Sequence, residues 1–203
     1  MFSRTQAARD KPVAEHQELI ASRLLPMLLE GIEEHDRLVV LDVGAGVQST
    51  VDFFAPYNTH IHFVDLYSSP LLVAPPEEID AETARRLFGE YLCLSEVTFD
   101  VCLFWDALHR VDLPLLSGLS QALRPHLHRG TRGYAFGTLY GNTLDHHSYG
   151  ICDFEHLSAR ATDIKGRYFT HTQRLIDEHF ASFTIERTTL LRTGRLELLL
   201  GAN

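Results

Sequence analysis

Gly44, Gly46 and Asp65 stand at intervals suited to holding a nucleotide-like ligand. Leu38 to Val43 is an apolar, β-branched run broken only by Asp42, and Gly44-Ala45-Gly46 follows it directly. Glycines after a strand allow a turn tight enough for backbone amides to approach a ligand. Asp65 lies 19 residues past Gly46, at the end of a second strand-like run from His60 to Val64. That is about the distance at which a carboxylate grips ribose hydroxyls, with Leu66 beside it. A second pair, Asp106 and His109, sits just beyond the apolar run Phe99 to Trp105. His109 can act as a base or orient a substrate, or it can simply anchor a strand-to-helix loop. Asp106 can instead cap a helix.

A third group occupies the insertion Tyr140 to Tyr168, which holds Tyr140, His146, His147, Tyr149, Cys152, Asp153 and His156. An insertion of that length within a domain is usually functional, and it is the best candidate for specificity. The chemistry of His147, Cys152, Asp153 and His156 would suit a metal, but their spacing matches no standard ligand set, so no metal site is expected. His60 and His62 alternate on a strand and share a face, which fits packing or surface positions. Cys93, Cys102 and Cys152 are odd in number and unpaired in spacing, and are read as reduced thiols, with Cys102 packed in a strand.

The elements that would position these groups alternate. Ile20, Leu24, Met27, Leu28 and Ile32 recur at helical spacing, predicting an amphipathic helix over 13–32, kinked or split at Pro26. After the first strand a short helix spans 49–55, with Ser49 or Thr50 as its cap, and 59–66 forms the second strand. Pro76, Glu77 and Glu78 open a helix that Gly89 stops, and Tyr91 to Leu94 is a short apolar stub. The strand from Phe99, a helix over 114–123, a strand over 131–139 and a helix over 169–180 capped by Thr170 or Thr172 follow. Runs 183–191 and 195–200 then join through Thr193-Gly194 as a hairpin. Met1 to Lys11 is polar and expected to fray.

Alternating strands and helices give a mostly parallel sheet with helices on both sides. With its closing antiparallel pair, the chain resembles the class I S-adenosylmethionine-dependent methyltransferases over about residues 13 to 200. The resemblance is carried by Val40-Leu41-Asp42-Val43-Gly44-Ala45-Gly46, Asp65, Phe99 through Val111, and Leu123-Arg124-Pro125. It implies a single domain with a three-layer Rossmann-like fold and S-adenosyl-L-methionine held by Asp42, Gly44, Ala45, Gly46, Asp65 and Leu66. Asp106 and His109 would lie near the chemistry, and a small-molecule or protein acceptor under the insertion. Two departures stand out. Gln48 replaces the family's third glycine. Only three residues, Ser95 to Val97, separate the stub from the next strand. Three residues reach about 10 Å, whereas a return from the family's outer third strand needs nearer 20 Å. That strand, or at least the helix after it, is therefore expected to be missing. The alternative implied by these departures is an inactive pseudo-methyltransferase serving as an interaction module, its free sheet edge open to a protein partner or a second copy.

Charge bounds the partners. Residues 1 to 123 carry 8 Lys or Arg against 19 Asp or Glu, and residues 124 to 203 carry 10 against 8. A surface so acidic repels phosphate backbones, which disfavours nucleic acid. No apolar run is long enough to cross a bilayer and the start lacks a secretory core, so a cytoplasmic location without membrane contact is expected.

Overall fold

The computed structural model describes residues 17–31, 37–76, 78–138, 146–162 and 166–203. Its strands are β1 (Gln17–Ala21), β2 (Leu38–Asp42), β3 (Thr59–Phe63), β4 (Phe99–Trp105), β5 (Leu127–Thr138), β6 (His147–Ile151), β7 (His156–Ala161), β8 (Phe183–Leu190) and β9 (Arg195–Ala202). Its helices are α1 (Leu25–Leu28), α2 (Gln48–Phe54), α3 (Pro70–Val73), α4 (Ala81–Leu92), α5 (Leu113–Leu123) and α6 (Gln173–His179).

Six strands form one sheet in the order β3-β2-β4-β5-β9-β8. β3, β2, β4 and β5 run parallel, and β9 lies antiparallel between β5 and β8. Buried on both faces, β2 and β4 are nearly continuous apolar runs, as central parallel strands must be. The turn into β9 bends at Gly194, whose φ of +81° favours glycine. This is a mostly parallel, Rossmann-like sheet with a closing antiparallel hairpin. Its outer strand is missing among the described residues, so β3 is the sheet's edge. One connection through α3 and α4 carries the chain from β3 past β2 to β4, which explains why so few residues are needed before Phe99.

Alternation along β4 assigns the two faces. Phe104 packs on Phe180 and Phe183 at 5.1 and 5.3 Å on the helical side. Trp105 turns to the other side, toward Tyr134 and Tyr149. On the helical side α4 and α5 touch closely, because Gly118 leaves room that a Cβ would lose to Ala84 Cβ at 2.4 Å and the Arg85 backbone nitrogen at 2.7 Å. On the other side lies a second sheet, β1-β7-β6, wholly antiparallel.

Several expected elements differ. The helix over 13–32 is replaced, within the described residues, by strand β1 and the single turn α1. Pairing with β7 satisfies the backbone of β1, burying Ile20 and leaving Leu19 61% exposed, while Pro26 sits in the first turn of α1, where it starts a helix rather than kinking one. α4 opens at Asp80, whose carboxylate accepts from Thr83 N at 2.7 Å, and runs through Gly89 to Leu92. The stub at Tyr91 is thus the last turn of a helix that ends on Cys93 at φ +46°. Val47, not Ser49 or Thr50, precedes the first turn of α2. Residues 146–162 of the insertion form a hairpin rather than a loop, and Tyr140 lies outside the described residues, as do Met1 to Lys11. Thr172 caps α6 through a bond from Leu175 N, as one of the two expected threonines. No helix among the described residues is long and apolar enough to cross a membrane.

The two helical glycines give opposite expectations. Gly118→Ala drives a methyl into α4 and destabilises the fold by about 1–3 kcal/mol in urea unfolding. Gly89→Ala, with nothing within 4 Å of the new Cβ, stabilises it by about 0.5–1 kcal/mol. Equal effects would show that α4 and α5 do not meet at Gly118.

Candidate functional site

The ends of β2, β3, β4 and β5 converge beneath the β6–β7 hairpin. Asp42 closes β2 and is almost wholly buried. Its Oδ1 accepts from Gly44 N at 2.8 Å and from the Trp105 indole Nε1 at 2.7 Å, while its Oδ2 is buried without a partner. Burial raises its pKa from 3.8 to about 6, and the bonds from Trp105 and Gly44 only partly offset that rise. Trp105, at φ +50°, lies along Gly44: a Cβ there would stand 3.1 Å from its Nε1. Tyr149 of β6 stacks on the indole at 5.7 Å and 16°.

Gly46, at φ +71°, has the Phe63 ring 3.0 Å from where its Cβ would be. Ala45 and Gly46 are exposed, and Gln48 points outward to Asp52 at 2.7 Å, away from the cleft. Asp65 ends the neighbouring strand. Its Oδ2 accepts from the Ser68 hydroxyl, and its Oδ1 is buried without a partner. Leu66 is fully buried in the core and donates its N–H to the Val43 carbonyl at 2.9 Å.

β6 lies directly against the amino end of α2. A Cβ on Gly150 would come within 2.2 Å of Val47 Cγ2 and 2.4 Å of Ser49 Oγ. The Thr50 hydroxyl accepts from Ile151 N at 3.1 Å, and the Ser49 and Ser158 hydroxyls stand 3.4 Å apart. The hydroxyls expected to cap the helix therefore hold the hairpin instead.

Asp106 is buried and engaged twice. Tyr67 donates to its Oδ1 at 2.5 Å, and the Arg110 guanidinium grips its Oδ2 at 2.6 and 3.1 Å. It caps no helix; Asp112 caps α5. His109 donates from Nδ1 to the Phe169 carbonyl at 2.9 Å, which leaves Nε2 as a buried acceptor without a partner. Burial lowers its pKa to about 4 against the effect of that bond, so the ring is neutral at pH 7 and a weak base. Tyr168 stacks on it at 5.5 Å.

Of the expected cap residues, His146 sets its ring against Tyr67 at 4.5 Å, His147 lies 5.8 Å from Tyr149, and Tyr149 reaches the interior. Asp153 and His156 pair at 2.9 Å at the hairpin's exposed tip, remote from these groups. Sequence reasoning missed Tyr67, Trp105, Arg110, Thr138, Tyr168 and Arg195. Only Trp105 and Arg110 carried a signal, through their places beside Asp106 and four residues after it.

No protein-family model matches the chain, and no curated protein matches it. Among solved structures, it is similar to a SAM-dependent methyltransferase from Methanosarcina mazei, at 15% identity over 87% of this chain and 97% of that one, with a TM-score of 0.49. It is similar to magnesium protoporphyrin IX methyltransferase from Synechocystis PCC 6803, at 14% identity over 89% of this chain and 76% of that one, with a TM-score of 0.49. It is also similar to the pyocyanin biosynthetic protein PhzM, at 11% identity over 88% of this chain, with a TM-score of 0.45, and spans only 54% of that chain's length.

Because the Asp42 pKa is raised on folding, its favourable contribution is full below 3.8 and is lost as pH rises through about 6. Asp42→Asn keeps an acceptor for Trp105 and Gly44 and cannot ionise. Relative to wild type it gains up to about 3 kcal/mol between pH 4 and pH 7 in urea unfolding. A constant difference across that range would mean that Asp42 is not held as described.

Proposed function

We propose that the chain is a methyltransferase-like protein that takes S-adenosyl-L-methionine by its adenosyl end, at Gly46 and Asp65. One observation carries the reading. At the tip of β3, beside the glycine turn that ends β2, the Asp65 carboxylate keeps a buried oxygen without a partner. Ribose hydroxyls are donors of the kind that oxygen lacks, at the carboxyl ends of strands where open α/β sheets bind ligands. Gly46 and Ala45 leave the adjoining surface open.

The methionyl end does not fit the arrangement described. Trp105 and Asp42 take the space over Gly44, Tyr149 covers Trp105, and Gly150 rests on Val47 and Ser49. A methionyl tail would meet these side chains, so no methyl-transfer step runs through this state, and β6 must leave α2 before a whole cofactor can enter. The same packing favours a second reading, a lapsed methyltransferase whose scaffold serves as an interaction module with the β3 edge free. The acceptor of an active enzyme would be a small molecule or a protein side chain beneath the hairpin, near Asp106 and His109.

Calorimetric titration with adenosine and with S-adenosylhomocysteine separates the readings. The enzyme reading expects heat from both, a change in Trp105 emission with the second, and roughly tenfold or greater weakening by Asp65→Ala. Adenosine binding with S-adenosylhomocysteine silent supports the lapsed enzyme. Silence of both at millimolar ligand removes cofactor binding altogether.

A further inference from the structure

Between the two sheets, polar groups gather that the reading above does not use. Thr138 and Arg195 are direct partners across β5 and β9 and so share the face covered by the small sheet. Tyr149 descends onto that face from β6, with its ring 4.9 Å from Phe136. Tyr168 enters from the far side of the hairpin, its ring stacked on His109 and beneath the Arg110 guanidinium at 4.9 Å. Arg195 is 6% exposed and Tyr149 is 4% exposed. Arg195 Nε and Tyr149 OH are buried without a hydrogen-bond partner, and the buried hydroxyls of Thr138 and Tyr168 face each other beside them.

Their proximity shows in their acidity. Burial, above all, holds the Tyr149 phenol protonated, with the charge of Asp106 adding to that rise and the charge of Arg195 opposing it. Burial pushes Tyr168 up to about 12, partly opposed by the neighbouring Thr138 hydroxyl and by Arg195. At neutral pH both phenols are therefore donors. A guanidinium N–H can only donate, and a threonine hydroxyl donates at will. Arg195 is held by Glu18 at 3.2 Å through Nη1, which leaves the Nε side unused. Unpartnered buried donors are costly and uncommon in folded proteins, and the Arg195 Nε–H beside the Tyr149 hydroxyl needs an explanation.

We propose that the space between the sheets, where Arg195 Nε and the hydroxyls of Thr138, Tyr149 and Tyr168 meet, binds a small carboxylate and so sets the substrate class. A carboxylate brings acceptors and a negative charge, which the Arg195 Nε–H and the Tyr149 hydroxyl can both meet. A cation is repelled by Arg195, and a neutral amide lacks the negative charge that the guanidinium favours. The aromatic walls of Phe136, Tyr149 and Tyr168 suit a flat apolar body behind the charged group. The inference deepens the methyltransferase-like reading by naming its acceptor, but carboxylate binding itself requires no cofactor.

The test uses the whole protein with acetate and benzoate as probes, acetamide and benzamide as neutral matches, and chloride at equal ionic strength. Trp105, the one tryptophan of the chain, reports by fluorescence, and thermal melting reports independently. Both acids are expected to raise the melting temperature and alter the emission, whereas the amides do neither. Tyr149→Phe, Thr138→Val and Arg195→Lys, the last keeping its charge, each weaken benzoate by roughly ten- to a hundredfold. Tyr149→Phe leaves the ligand-free protein at least as stable, since it removes an unsatisfied hydroxyl. Acids that act no better than chloride, amides that act equally, or variants that bind benzoate unchanged would each overturn the site. Carboxylate binding with a silent S-adenosylhomocysteine titration keeps the site and removes methyl transfer; the reverse removes only the site.

Discussion

The contact between the Trp105 indole and the Asp42 carboxylate joins the two layers of this protein. A bulky side chain at positive φ is unfavourable by about 1–2 kcal/mol, so the chain reverses at Trp105 only because something holds it there. What holds it is the bond to Asp42 Oδ1, the fit against Gly44 and the stack with Tyr149. Were the indole turned to the helical face, Asp42 would keep only the Gly44 amide and the small sheet would lose its central aromatic contact. Strand β4 thus serves both faces: Phe104 closes the helical layer and Trp105 closes the other.

The small residues follow from this. Gly44 leaves room for Asp42 and Trp105, Gly46 for Phe63, and Gly150 for Val47 and Ser49. A glycine pattern after a strand announces a close approach without saying what approaches. Here much of the room is taken by the protein's own atoms, and the open remainder lies at Ala45, Gly46 and Asp65. Gln48, which by the family pattern should crowd the cleft, faces solvent and bonds one turn along its own helix. The crowding comes from Tyr149 instead, a residue more than a hundred positions away.

That separation also governs what could be read from the amino-acid sequence. β2, β4 and the closing hairpin announce themselves through apolar runs and a Thr-Gly turn, and the missing outer strand follows from the reach of three residues. Such features are local or arise from simple lengths. β1 was unreadable because Ile20, Leu24 and Leu28 fit a helix as well as they fit a strand followed by a turn. The strand wins through pairing with β7, some 140 residues on, a contact that no local pattern encodes. The β6–β7 hairpin is likewise polar in sequence, yet it buries consecutive residues, 149–151 and 157–159. Arg195 looked like an ordinary strand end, and only the register that sets it beside Thr138 gives it meaning.

The interior handles its charges differently on the two sides of β6. Glu197, fully buried, accepts from Ser22, from Arg23 N and from Tyr134 and so ties the N-terminal segment to β5 and β9. Asp106 is matched by Tyr67 and Arg110. The unpartnered buried atoms are of both senses, and His109 Nε2, an acceptor, stands on the same side as the donors, on the ring stacked against Tyr168. Toward the glycine turn stand carboxylate acceptors, Asp42 Oδ2 and Asp65 Oδ1, which call for hydroxyl or ammonium donors. Beneath the hairpin stand donors, led by Arg195 Nε, which call for an oxyanion. β6, which stacks Tyr149 on Trp105 and meets α2 through Thr50 and Ser49, joins the glycine turn to the interior beneath the hairpin.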